Sequence, residues 1–270
     1  HKIEKENPGI KNIIVWGPWQ HGGWARVDGD TLGNIRFGSK TALWYRENVE
    51  LPFFNYYLKD KAQLNLPEVT AFMTGANEWK SFDGWPPKEA TATNLYLHSN
   101  QTLSFFPPTD KSKKAFDSYV SDPSKPIPFT AQTTTFMGHL FIVEDQRFAS
   151  TRPDVLVYQT DVLTEDVTIA GATTVTLYAS TTGTDCDWIV KLIDVYPGDA
   201  PDNVPNPAGV RMGGFQMLLA GDVMRSKFRN SFEKPEPMVP SKVTKIEFDL
   251  PDKLHRFLKG HKVMVQIQST

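Results

Sequence analysis

From Val69 to the end of the chain, apolar residues recur at every second position in a series of short runs, and that period constrains the fold more than anything else in the sequence. Val69, Ala71 and Met73 share one face, and Leu95 and Leu97, Val155 and Val157, Ile246, Phe248 and Leu250, and Val263, Val265 and Ile267 repeat the spacing. In Val175–Ser180 one face is apolar and the other carries hydroxyl groups. Successive strand side chains point to opposite faces, so this period specifies half-buried strands. Proline and glycine punctuate the runs, notably at Pro107-Pro108, 123–128, 197–207 and 235–240. Many short strands separated by such turns indicate an antiparallel sandwich. Only Lys253–Leu258, ahead of Gly260, is expected to form a helical turn in this half.

The first 65 residues read differently. Lys11-Asn12-Ile13-Ile14-Val15 is a short apolar run that predicts a buried strand over about 11–16. Gly17 and Pro18 end it and begin a loop containing Trp19, His21 and Trp24. Beyond it, Trp44, Glu47, Leu51, Phe54 and Leu58 follow helical spacing, with Ser39 as the expected N-cap. Pro52 interrupts the pattern, which predicts two helices, about 40–50 and 52–59. A strand followed by helices is the closing unit of an α/β fold. The organisation expected is therefore an α/β remnant over 1–65 and a β-sandwich over 66–270, mostly β overall.

A histidine just past the carboxyl end of a buried strand sits where open α/β sheets place their chemistry. Imidazole titrates near neutrality, so a positioned His21 can take and return a proton within one cycle. Trp19 and Trp24 either line a substrate pocket or pack beneath the loop. Asp28 and Asp30 lie near His21 in sequence and are expected to shape the loop. Asp194, alternating with Leu192 and Tyr196, is expected to be a buried acid in need of a hydrogen-bond partner.

The stretch Gly17-Pro18-Trp19-Gln20-His21 resembles the catalytic-histidine loop of one α/β-hydrolase group. That group contains cocaine esterases, α-amino-acid ester hydrolases, glutaryl-cephalosporin acylases and X-Pro dipeptidyl-peptidases. Further segments agree in order: Phe53–Asp60, Gly75-Ala76-Asn77-Glu78-Trp79, Trp85-Pro86-Pro87, Arg152–Tyr158 and Asp187–Val195. The resemblance implies a serine hydrolase of esters, amides or short peptides, with His21 as the triad histidine and a jelly-roll sandwich behind it. It also implies that a final strand follows the last one here. No Gly-x-Ser-x-Gly nucleophile elbow occurs in the sequence, and triads of this type run Ser, Asp, His along the chain. The expected partners are therefore a hydrolase portion carrying Ser and Asp, and a second copy of the chain through uncovered apolar surface. The chain alone is expected to be inactive.

Composition removes other classes. Net charge is −2, from 29 basic and 31 acidic residues without long single-sign blocks, so no nucleic-acid partner is expected. The short cluster Lys111-Ser112-Lys113-Lys114 reads as a solvated loop. No stretch approaches the roughly 20 apolar residues that span a bilayer, so no membrane role is expected. The single cysteine, Cys186, excludes an internal disulfide. His1, His98, His139, His255 and His261 lack metal-binding spacing, and Asp185 and Asp187 read as a turn before a strand, so no metal and no cofactor is expected. An aromatic-rich sandwich that binds carbohydrate or protein is the competing reading. The α/β unit at its front argues against it.

Overall fold

The computed structural model describes residues 2–61, 63–110, 112, 115–132 and 140–269. His1, His139 and Lys111, Lys113 and Lys114 of the basic cluster lie outside the described residues. Two compact units divide the chain. Unit 1 holds residues 1–91 with 168–171 and 254–256, and unit 2 holds the rest.

Unit 1 opens with helix α1 (Lys2–Glu6), strand β1 (Ile14–Trp16) and a single-turn helix α2 (Gly23–Arg26). A hairpin of β2 (Thr31–Leu32) and β3 (Ile35–Arg36) follows. Helix α3 (Thr41–Tyr45) then runs through a π turn at Arg46–Glu50 into α4 (Leu51–Lys59). The two expected helices are thus one continuous helical rod. Pro52 has no N–H to donate and crowds the preceding turn, and the wider π turn ahead of it absorbs the mismatch without breaking the rod.

Strand β4 (Val69–Met73) pairs in parallel with β1, and β5 (Glu78–Phe82) pairs antiparallel with β4. The expected boundary at 65/66 falls between β1 and β4, within this one sheet. All five β4 residues are buried, as in a strand covered on both faces. Val69, Ala71 and Met73 pack with Trp85 and Leu254 into the core of unit 1. Alternation at 69–73 therefore specified a strand but not the sheet that strand joins.

Unit 2 is a β-sandwich. Its larger sheet contains β6 (Tyr96–His98), β7 (Thr102–Ser104) and β8 (Val155–Gln159). Helix α5 (Arg147–Ser150) precedes β8, and β9 (Val167–Ala179) and β10 (Asp187–Val195) follow it. Then come β11 (Gln216–Arg225), β12 (Thr244–Phe257) and β13 (Lys262–Gln268). The six-stranded order is β11-β10-β13-β8-β7-β6, and β12 pairs with β9 in a separate ribbon. Val175, Leu177, Ile246, Phe248 and Leu250 form the buried face of that ribbon, as their alternation predicted. The helical turn expected at 253–258 is instead the end of β12. Leu254, His255 and Phe257 are buried there, and pairing outweighs the local helical propensity.

The core against the larger sheet includes Ala149, Val155, Val157, Ile193 and Met264. Lys191 enters the same layer at 5% exposure. Its Nζ donates to Gln146 Oε1 at 2.9 Å and lies 5.7 Å from the centre of the Phe148 ring. Gln146 is itself buried and donates through Nε2 to the Glu144 carbonyl. Burial pushes the Lys191 ammonium down to about 8, against the attraction of Glu144. The folded chain therefore holds fewer protons than the unfolded chain between about pH 8 and the ordinary lysine value of 10.5. From this group alone stability rises with pH across that window, while the Cys186 thiol, pushed up by burial, acts in the opposite sense. Above pH 10 the buried hydroxyls of Tyr119, Tyr158 and Tyr196, all pushed up by burial, act in the opposite sense. Denaturation midpoints between pH 7.5 and about 9.5 are expected to climb more steeply in the native chain than in Lys191→Met.

Candidate active site

The loop joining β1 to the helical rod is built on aromatic packing. Gly17 and Pro18 stop β1, and the Trp19 N–H turns back to the Gly17 carbonyl at 2.9 Å. Gly17 has no alternative, because a Cβ there would overlap the six-membered ring of Trp19. The half-buried indole of Trp19 sits 5.2 Å from Tyr45 and 5.9 Å from Trp79, centre to centre. Its Nε1 donates to Thr41 Oγ1 at 2.8 Å, and that hydroxyl donates in turn to the Gly29 carbonyl at 2.5 Å. Trp79 stacks on Trp44 at 4.4 Å and meets the edge of Phe72 at 5.4 Å. Trp19 thus packs beneath the loop.

His21 stands at the turn between β1 and α2, exposed to solvent. Gly22 takes the left-handed conformation at φ +75°, which lets α2 start at once, and the Gly23 N–H closes on the Gln20 carbonyl at 2.9 Å. The His21 ring meets Trp24 edge to face, with centres 5.9 Å apart and planes at 85°. Trp24 is on the surface beside it, so the two tryptophans of the loop have different places: one supports, one flanks the imidazole. Among the described residues no carboxylate hydrogen-bonds His21.

Asp28 is engaged elsewhere, and Asp30 is exposed, its backbone carbonyl accepting the Phe37 N–H at 2.9 Å. The Asp28 carboxylate meets Lys40 Nζ at 2.8 Å across a half-exposed surface, and that partner holds it below the usual carboxylate range. Its carbonyl accepts the N–H groups of Ala42 and Leu43 at 3.0 and 3.3 Å, and the Gly29 carbonyl accepts that of Thr41 at 3.3 Å. The first turn of the rod is therefore capped by the backbone of the His21 loop. Ser39, the expected cap, makes no such side-chain bond among the described residues. Beside this junction lies a cleft of about 270 Å³ lined by Ser39, Lys40, Leu43, Trp44, Glu47 and Trp79.

The remaining candidates are structural. His261 Nδ1 lies 2.8 Å from Asp194 Oδ1, which gives that buried acid the partner its position demanded. His255 Nδ1 lies 2.8 Å from Thr74 Oγ1, and His98 Nε2 lies 2.8 Å from the Phe106 carbonyl. Asp185 pairs with Arg225 at 2.8 Å and Lys227 at 3.5 Å. Cys186 is half-buried, 3.2 Å from Ser226 Oγ, and burial pushes its thiol up. Among the described residues no three His, Cys, Asp or Glu side chains converge as metal ligands would. The sequence reading missed Thr41, Arg46 and Trp79 as partners of the loop. They act across roughly 20 to 60 residues of chain, and no local signal marks them.

Comparison with known proteins agrees with this construction. Residues 62–270 match the X-Pro dipeptidyl-peptidase C-terminal non-catalytic domain. The chain belongs to that family. A cocaine esterase from Rhodococcus sp. (strain MB1 Bresler) is 27% identical over 270 residues, 95% of this chain and 43% of the esterase. The solved aminopeptidase from a marine sediment Thaumarchaeota archaeon superposes with a TM-score of 0.90 at 41% identity, covering 99% of this chain and 44% of that one. An α-amino acid ester hydrolase superposes at 0.89 with 39% identity, covering all of this chain and 44% of the hydrolase. The chain thus spans less than half the length of the relatives it matches, and corresponds to the C-terminal part of these hydrolases. The family match begins at residue 62, whereas the likeness to the hydrolases extends through the His21 loop.

Removing the Thr41 hydroxyl tests this architecture. Thr41→Val leaves the Trp19 N–H and the Gly29 carbonyl without their shared partner, and should cost unit 1 about 1–3 kcal/mol. Chemical denaturation followed by tryptophan emission reads it.

Proposed function

We propose that the chain supplies the histidine of a Ser-Asp-His triad in a hydrolase of esters, amides or short peptides. The observation that carries this reading is His21 itself: an exposed imidazole on the loop directly after a strand in a parallel pairing, fixed by packing beneath it. The names of its relatives, an esterase, an ester hydrolase and an aminopeptidase, support the same reaction class. The chemistry needs one group that can both accept and return a proton. His21 takes the proton of the attacking serine hydroxyl as the serine oxygen bonds to the acyl carbon. It then gives that proton to the departing alcohol or amine as the old bond breaks. In the second half it takes a proton from water, whose oxygen bonds to the acyl carbon, and returns that proton to the serine oxygen as the acyl–serine bond breaks. No Gly-x-Ser-x-Gly elbow is found in the sequence, so the serine, the aspartate that orients His21 and the oxyanion donors come from a separate hydrolase portion. Trp24, at the edge of the imidazole, would flank the bound acyl or leaving group.

The surface of unit 1 favours such a partner. Leu51, Phe54 and Leu58 on α4 are 56%, 48% and 73% exposed, alongside Tyr56 and Tyr57. An uncovered apolar face on one rod is an interaction site. In a hydrolase portion docked there, or in a second copy of the chain, those side chains leave water. The purified chain should bind an apolar dye and elute larger than a monomer, and Leu58→Glu should reduce both; size-exclusion with light scattering reads the second.

A chimera tests the catalytic reading. The 270 residues are fused behind the serine- and aspartate-bearing portion of the α-amino acid ester hydrolase that is 39% identical. The chimera should hydrolyse a p-nitrophenyl ester, and His21→Ala should lower kcat by roughly 10³-fold or more. The unfused chain should match its own His21→Ala variant. Equal turnover by the chimera and its His21→Ala variant would sink the assignment.

A further inference from the structure

The carbonyls at the end of α2 have no partners within so short a helix and must be satisfied from outside. Arg46, at the first position of the π turn, does this. Its Nη1 donates to the Trp24 carbonyl at 2.8 Å and to the Val27 carbonyl at 3.0 Å. Both belong to the turn that presents Trp24 against the His21 ring. We infer that Arg46 is a positioning residue for His21, acting through Trp24. The inference rests on the proposed role of His21 for its importance, but not for its test.

Three features make the clamp specific. A guanidinium placed over helix-terminal carbonyls satisfies them and opposes the negative end of the turn. One nitrogen serves two carbonyls three residues apart, so it fixes the direction of α2 as well as its end. The other attachments of the loop to the rod lie before and after α2: the Trp19 indole on Thr41, and the Asp28 and Gly29 carbonyls on the first turn. Between them Arg46 holds the segment that carries the aromatic neighbour of His21.

The ring current of Trp24 makes the placement visible. In the 270-residue chain, the carbon-bound ring protons of His21 should be shifted from their unstructured positions, and Trp24→Leu should return them. Arg46→Met should remove most of the same shift while the far-ultraviolet circular dichroism stays native. Arg46→Lys, which keeps the charge but not the planar donor, should retain an intermediate shift. Wild-type His21 resonances in folded Arg46→Met overturn the inference, as do wild-type resonances in Arg46→Lys if Arg46→Met does not fold. In the chimera, Arg46→Met should lower kcat about 10-fold with KM changed less than about twofold. A His21 shift that moves without loss of kcat leaves the positioning intact and counts against the catalytic role. An unmoved His21 shift counts against the positioning alone.

Discussion

Everything that places the His21 loop depends on one backbone exchange: the carbonyls of Asp28 and Gly29 accept the first N–H groups of the rod that begins at Thr41. A helix start leaves its first N–H groups without partners. Most helices answer with a serine, threonine or acidic side chain one residue ahead. Here the loop itself is the cap, so neither loop nor helix has its final geometry without the other. Gly29 makes the approach possible. It has φ +78°, and a Cβ there would lie 2.5 Å from the Ala42 nitrogen and 2.7 Å from Thr41 Oγ1. Only glycine tolerates both the conformation and the closeness.

Around that exchange the polar and apolar terms reinforce one another. The Thr41 hydroxyl bonds the Trp19 indole on one side and the Gly29 carbonyl on the other, within a buried position. Such a fully satisfied pair is favourable, whereas either half alone would cost free energy. Trp19, Tyr45, Trp44, Trp79 and Phe72 then form a continuous aromatic layer that reaches from the loop to the β4–β5 sheet. The imidazole above it needs no packing of its own. His21 remains exposed because its neighbours carry the burial.

Unit 2 shows a different economy of polar groups. Among the described residues its buried Asp194 is matched by His261, and its buried Lys191 by the neutral amide of Gln146. The second match is incomplete, since an amide oxygen does not compensate the lost hydration of an ammonium. The depressed proton affinity of Lys191 is the result. Among the described residues no three His, Cys, Asp or Glu side chains of unit 2 converge as metal ligands would.

By itself the sequence determined the sandwich and a strand before His21, because each follows from a local period or a local breaker; the burial expected of that strand is not found, since Ile14 and Val15 are half-buried and Trp16 is exposed. The two-residue alternation predicted the buried faces of β9 and β12, and Gly17-Pro18 predicted the end of β1. It also required a partner for Asp194 without naming His261. Tertiary structure decided the rest. The alternating residues 69–73 joined β1, since period fixes a strand and not its neighbours. Lys253–Phe257 became strand because pairing outweighs propensities of about 1 kcal/mol, and the rod runs through Pro52 by way of a π turn. Thr41 and Arg46 reach Trp19 and Trp24 across 22 residues of chain, and Trp79 reaches Trp19 from farther still. A hydrogen bond or a ring contact across that distance leaves no pattern in a single sequence, because its two ends are brought together only by the fold.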